Sequence, residues 1–148
     1  MANYYPPVAF HFRVEVLGLP TNDDDMRFSE AGGLTVEIPT EEHAEGGENR
    51  FTQKYPLRPK FAELLLKRGL LKNSAISDWI VQCIDTMNIV PKNIDVKLLN
   101  ENHVPLITWH IINAYPTKWT IGEFNASQNA IVVESLQFCY QRFSIDKS

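Results

Sequence analysis

Residues 8–17 alternate in polarity. Val8, Phe10, Phe12, Val14 and Val16 share one parity, and His11, Arg13 and Glu15 the other, which predicts a half-buried strand. A turn-rich acidic stretch follows, from Leu17 through Gly18, Pro20 and Asn22 to Asp25. Leu34, Val36 and Ile38 then alternate with Thr35 and Glu37, after a Gly32-Gly33 pair suited to a bulge or tight turn. Residues 40–50 are acidic, contain Gly46-Gly47 and lack apolar periodicity, so they read as a long loop or hairpin tip. Leu64 to Leu66 fit a short buried strand or part of a helix, and periodicity alone does not decide. Pro56 and Pro59 oppose a long helix through both positions.

Helical spacing is clear from residue 74 to residue 88. Ile76, Trp79, Ile80, Cys83, Ile84 and Met87 fall at i, i+3, i+4, i+7, i+8 and i+11, one apolar stripe. Ser74 is placed to cap its N-terminus, with Asp78 in the first turn. Ile94, Val96 and Leu98 open a second β region. A turn signal at 100–103 and a strand over Leu106–Ile112 follow, and Asn113-Ala114-Tyr115-Pro116 is predicted to end that strand. A last strand is predicted over Ile131–Phe143. Val132, Leu136, Phe138 and Tyr140 take one parity; Ser135, Gln137 and Gln141 take the other. The sum is one mainly β (α+β) domain over residues 1–148, an antiparallel barrel- or sandwich-like sheet with one packed helix. Trp79, Ile80, Ile84, Leu136 and Phe138 are its predicted core.

Composition narrows the function classes. With 148 residues, 44% hydrophobic and 22% charged, the chain has globular character, and no apolar run approaches the length of a membrane span. The N-terminus has neither a basic start nor an apolar core, so no signal peptide is expected and synthesis is expected in the cytoplasm. Two cysteines do not make a disulfide framework. The net charge of −4 hides a segregation: residues 1–50 carry −7 and residues 51–72 carry +5. This is a poor footprint for nucleic-acid binding, and it suits complementary contact between copies.

Chemistry-bearing motifs are absent. There is no phosphate loop, no nucleophile elbow and no zinc-protease motif. His11, His43, His103 and His110 pair neither with one another nor with cysteine at metal-ligand spacing. Asp23-Asp24-Asp25 and Glu41-Glu42 read as solvated surface. The aspartates offer calcium at most a loose site, because the EF-hand spacing is missing. Neither a metal, a cofactor nor catalysis is expected. Two other readings stay open. One is a monomeric β-barrel module that binds a small molecule or sugar, lined by Trp109, Tyr115 and Trp119. The other is a small hydrolase built on His110 and nearby acids.

Seven segments, in order, resemble one family, the tail tube proteins of contractile phage tails and extracellular contractile injection systems. They are Phe10-His11-Phe12-Arg13-Val14-Glu15-Val16, Phe28-Ser29-Glu30-Ala31-Gly32-Gly33-Leu34, Glu45-Gly46-Gly47-Glu48-Asn49, Leu66-Lys67-Arg68-Gly69, Trp79, Asn113-Ala114-Tyr115-Pro116-Thr117-Lys118-Trp119 and Asn129-Ala130-Ile131-Val132-Val133-Glu134. Lys54-Tyr55-Pro56-Leu57-Arg58-Pro59 stands where many tube proteins carry a Pro-Gly turn; Gly46-Gly47-Glu48-Asn49-Arg50-Phe51 followed by this stretch and by Leu65-Leu66-Lys67-Arg68-Gly69-Leu70-Leu71 is similar to the paralogue that starts the tube at the baseplate.

The resemblance implies a strand at Leu64–Leu66 and six-copy rings whose sheets join around a lumen and stack into a tube. It implies sheath, baseplate, spike-hub and other tube paralogues as partners, with payload in the lumen and no required nucleic-acid contact. It also implies a protruding loop or hairpin at about 40–58. Expected contacts between copies or rings are Glu41, Glu42, Glu45, Gly46, Gly47, Glu48, Asn49, Arg50, Lys54, Arg58 and Lys60. Thr35, Glu37, Ser135, Gln137 and Gln141 are expected to face the lumen. Such a particle acts outside the cell or anchored to it.

Overall fold

A computed structural model describes residues 11–20, 22–43, 46–47, 52–122 and 132–147. The predicted first-strand residues Val8 and Phe10, the expected contacts Glu45, Glu48, Asn49 and Arg50, and Asn129-Ala130-Ile131 lie outside these. The chain runs β1 (His11–Val16), α1 (Asp23–Met26), β2 (Arg27–Phe28), β3 (Glu30–Gly32), β4 (Val36–Glu37), β5 (Thr40–His43), β6 (Gln53–Pro56), β7 (Lys60–Phe61) and β8 (Leu64–Gly69). It continues with α2 (Ala75–Thr86), β9 (Lys92–Leu99), β10 (Pro105–Ile121), β11 (Val133–Cys139) and β12 (Arg142–Lys147).

The main sheet is antiparallel, in the order β2-β1-β9-β10-β11-β8-β3, with β12 also on β10. The two ends of this order, β2 and β3, are consecutive in the chain and separated by Ser29 alone. Gly33 makes the tight exit from β3. Its φ is +74°, and a Cβ there would lie 1.8 Å from the Glu63 carbonyl oxygen, so only glycine fits. Leu64–Leu66 form a strand, as the resemblance implies, because Leu64 and Leu66 both turn into the core between β3 and β11.

The helix forms where its spacing places it. Ser74 Oγ accepts from Ser77 N at 3.0 Å, and the helix ends at Met87 in a left-handed conformation (φ +56°). Ile76, Trp79, Ile80 and Cys83 are buried with Val14, Ile94, Val96, Ile111, Leu136 and Phe138, and Trp79 stacks on Phe138 at 5.8 Å. The stripe is narrower than predicted. Ile84, expected in the core, is 55% exposed at an open hollow between α2 and Pro116–Trp119 of β10, and Met87, at the helix end, is 85% exposed.

Three strand boundaries also differ. Val36 and Ile38 are exposed, not half-buried, because β4 leaves the main sheet after Gly33 and pairs only with β7. Asn113-Ala114-Tyr115-Pro116 does not end a strand: β10 passes through it and bends. Asn113 takes up the bend at φ +53°, a conformation asparagine tolerates, and its N–H is met by Asn93 Oδ1 at 3.0 Å. Pro116 lies where, among the described residues, β10 has β11 on one side and no strand on the other, so a missing donor is tolerated. The predicted last strand is two, β11 and β12. Tyr140-Gln141 form the break opposite that bend, and Gln141 N donates to Ile112 O at 3.0 Å.

Candidate assembly surfaces

Between Thr35 and Ala62 the chain forms a two-stranded arm apart from the main sheet. β5 pairs with β6 (Thr40↔Pro56, Glu42↔Lys54) and β4 with β7 (Val36↔Phe61, Glu37↔Lys60). Leu57 N to Pro39 O (2.7 Å) and Ala62 N to Thr35 O (3.1 Å) join the two ladders. The register slips by one residue between them, and the proline pair around Leu57-Arg58 accommodates it. Every residue of β5 and β6 is exposed. Alternation puts Val36, Ile38 and Pro56 on one face and Tyr55 and Leu57, with His43, on the other. Tyr55 and His43 meet edge to face at 5.3 Å.

The acidic and basic blocks meet inside this arm. Lys54 Nζ lies 3.7 Å from Glu42 Oε1, and Lys60 stands opposite Glu37. Pairing within one chain therefore takes up part of the charge that the sequence offered for contact between copies. The expected contacts Glu41, Glu42, Lys54, Arg58 and Lys60 all lie on the arm, and Gly46-Gly47 on a turn beyond β5. Gly47 has φ +91°.

A second surface is the face of β8, β11 and β10 away from the core. Cross-strand rows place Gln137 between Leu65 and Lys118, and Ser135 between Lys67 and Thr120. Leu65, Lys118, Thr120, Ser135 and Gln137 line a shallow hollow of about 270 Å³ there. Gln137 Nε2 donates to Glu63, and Lys67 pairs with Glu30 at 3.9 Å. Ser135 and Gln137 thus share the polar face the sequence predicts. Gln141 sits in the break after β11, and Thr35 and Glu37 stand at the root of the arm.

Beneath that face lies a buried polar network that the sequence reading did not identify. Arg68 Nε donates to Glu134 Oε2 (3.0 Å), Nη1 to Asp25 Oδ1 (2.8 Å) and Nη2 to Ser74 Oγ (2.7 Å). Asp25 Oδ2 accepts from Ala75 N (2.9 Å), and Glu134 Oε1 accepts from Ser77 Oγ (2.9 Å) and Trp119 Nε1 (2.8 Å). The Arg68 guanidinium also lies 4.6 Å over the Phe28 ring. Asp25, expected on a solvated loop, is buried here, because its carboxylate satisfies orphan donors at the start of α2. Both its oxygens are engaged, which leaves no calcium site on it. The available signal was parity. Arg68 shares its strand face with Leu64 and Leu66, and Glu134 with Leu136 and Phe138.

The remaining candidates separate in space. His110 Nδ1 bonds its cross-strand neighbour Asp95 at 2.8 Å on a partly exposed sheet face. Trp109 packs on the core, Trp119 is committed to Glu134, and Tyr115 sits at the β10–β11 end beside Cys139. Among the described residues the three aromatics are thus engaged in different places. His11 Nε2 and His103 Nδ1, 92 positions apart, meet at 2.8 Å beside a mixed-charge hollow of about 460 Å³. In its floor, burial pushes the Glu15 carboxyl up. Hydrogen bonds from Arg13 (2.9 Å) and Lys97 (3.1 Å), with their charges, outweigh that and hold it below its ordinary value. Among the described residues no three metal-ligating side chains converge, and no helix is long and apolar enough to cross a membrane.

Residues 8–144 match the family model of the T4-like virus tail tube protein gp19. Similar solved structures include a chain of the anti-feeding prophage baseplate, with a TM-score of 0.82 at 24% identity, over 99% of this chain and 98% of that one. A chain of the anti-feeding prophage tube-terminating cap gives 0.77 at 28% identity, over 100% and 95%. A chain of the sheath-tube complex of an extracellular contractile injection system, PVC, gives 0.76 at 26%, over 98% and 93%. Hcp1 from Flavobacterium johnsoniae shares the fold at 0.55 and 13% identity, over 93% and 96%. No curated protein sequence matches at this level. With an antiparallel sheet, one packed helix, a stand-off arm and a family match over 137 of 148 residues, the chain belongs to the tail tube protein family and is a structural tube component of contractile injection machinery.

Proposed function

We propose that the chain builds six-copy rings that stack into the inner tube of an extracellular phage tail-like particle, with the β8–β11–β10 polar face toward the lumen. The observation that carries this is a sheet with two different faces. One side holds the sealed core with Leu64, Leu66, Leu136 and Phe138. The other is a polar surface of Ser135, Gln137 and Thr120 with Lys67 and Lys118 and a single apolar Leu65, which suits the wall of a water-filled bore. The open edges support joining between copies. β12 pairs with β10 alone, and β9 accompanies β10 only as far as Ala114, so two strand edges have no partner among the described residues. An arm exposing apolar groups on both faces has no use in water and suits insertion between copies.

The mechanism is mechanical. A sheath contracts around the tube and drives it through an envelope, and payload passes down the bore. The chain works by holding repeated contacts, and we assign it no catalysis. Its place is the baseplate end of the tube or the bulk tube. The Pro56–Pro59 stretch favours the baseplate end, where it shapes the arm's slip in register. Electron microscopy of the purified protein tests this. Rings roughly ten nanometres across, the scale of several small domains side by side, or stacked tubes are expected. A monodisperse monomer under all conditions would overturn it.

A further inference from the structure

Among the described residues nothing covers the outer flank of α2. Val81 and Ile84 are exposed one turn apart, and Met87, at the helix end, is the most exposed large apolar residue described. Met87 also holds a left-handed conformation that a non-glycine residue adopts at a cost. Beside Ile84 a hollow of about 160 Å³ opens between α2 and the Pro116–Trp119 segment of β10, next to the edge of that strand that has no partner among the described residues. Asp78 and Asp85 border the flank, fall at i and i+7 around Val81, and make no ion pair among the described residues.

The same chain carries the complement. One face of the arm exposes Val36 and Ile38. Arg58 lies beside that face, in the register slip between the two ladders where alternation fixes no side; it is exposed and makes no ion pair among the described residues. Glu42 and Lys54, further along the face, already neutralise each other. Arg58 is thus an uncompensated charge at the bend of an arm that exposes apolar residues, opposite in sign to the border of the helix flank.

We propose that the arm of one copy seats on the α2–β10 cleft of the next, with Ile38 against Ile84 and Arg58 against Asp85. This rests on the proposal that copies assemble, and it adds the two surfaces that meet. Two different patches on one chain give a head-to-tail contact, which closes as a ring or propagates as a filament. Matching an apolar patch with its single charged border sets the register of docking.

A charge exchange tests it. Arg58→Asp and Asp85→Arg are both surface changes, and each alone should leave the far-ultraviolet circular dichroism of the chain unaltered. Each alone should also raise the concentration needed for half-assembly by about tenfold or more, since like charges then face each other. The double variant should assemble as the original chain does. So should an equimolar mixture of the two single variants, because every junction between alternating copies again pairs opposite charges. Rings of the single variants at the original concentration would overturn the contact, as would a mixture that stays unassembled. An original chain that forms no rings would instead remove the tube proposal, and this contact with it.

Discussion

Arg68 and Glu134 are cross-strand partners whose charged groups meet inside the protein, 3.0 Å apart and almost wholly out of water. The pair is the centre of a fully bonded set in which one cation serves two carboxylates. The second carboxylate, Asp25, also caps the helix that covers the core. Strand, strand and helix are thereby fixed to one another. Burying such groups is costly, and removing one partner costs more than the pair contributes.

Arg68→Leu should therefore destabilise the chain by about 3–5 kcal/mol, since two buried carboxylates lose their cation. Arg68→Lys should recover little of this, because an ammonium cannot present one face to Glu134 and another to Asp25 and Ser74. Denaturant unfolding measures both. A loss under about 1 kcal/mol for Arg68→Leu would show the network to be dispensable.

Tyr140 lies at the break between β11 and β12, and its hydroxyl is buried with no hydrogen-bond partner among the described residues. Burial first, and then the neighbouring Cys139, push its pKa up to about 12. Tyr140→Phe removes an unpaired polar group while keeping the ring against Phe61 and Phe143, and should stabilise the chain by about 1 kcal/mol. The folded state holds this proton more tightly than the unfolded one. The original chain should thus lose stability as pH rises from 10 toward 12, and the variant should lack that component. Thermal unfolding at pH 8 and pH 11 decides it.

At Glu15 the sign is opposite. Its carboxyl is held below the ordinary value by Arg13 and Lys97 despite burial. The contribution is present above the unfolded pKa near 4.5 and disappears as pH falls through the folded value. The site is partly open to solvent, so Glu15→Gln should cost only about 0.5 kcal/mol at pH 7 and low salt. The difference should shrink toward pH 3 and in high salt. A constant difference across that range would assign the effect to packing.

The sequence made the regular parts of this fold legible and hid the parts set by long-range pairing. Ser74 and the stripe from Ile76 to Cys83 give the helix and its cap because both signals are local. Ile84 carries the same spacing, yet how closely β10 packs against that turn of the helix is a long-range matter the spacing does not encode. Asn113 and Pro116 are turn signals in isolation; here a register bend in a long strand uses them. The polar face at Ser135 and Gln137 was readable from alternation. The Asp25–Arg68–Glu134 network joins positions up to 109 apart in numbering, and only the strand order brings them together.

Gly33 separates two costs of a side chain. Gly33→Ala meets the Glu63 carbonyl and a left-handed φ together, so β3 and β8 must part; soluble yield should collapse or stability fall by more than about 3 kcal/mol. Gly32→Ala, one residue earlier, meets its first atom at 4.0 Å and should fold, with a change under about 1 kcal/mol. Equal behaviour of the two variants would show that the exit from β3 relaxes without glycine.

The arm gives a prediction in which folding and assembly part company. Lys54, Arg58 and Lys60 are exposed, and the only ion pair the described residues give them is the solvent-facing one to Glu42. Replacing all three by Glu removes little from the isolated chain, because exposed pairs are worth about 0–1 kcal/mol. The unfolding midpoint should move by no more than a few degrees. In a stack of rings the same change repeats at every copy and turns a mixed arm into one with six neighbouring carboxylates, counting Glu37, Glu41 and Glu42. Like charges forced together in that number oppose docking at each junction, and the effect should ease as salt rises toward 1 M. Sedimentation and electron microscopy at low and high salt check this. A triple variant that builds normal tubes at low salt would show that the arm's charges take no part in assembly, and that its apolar residues alone join the copies.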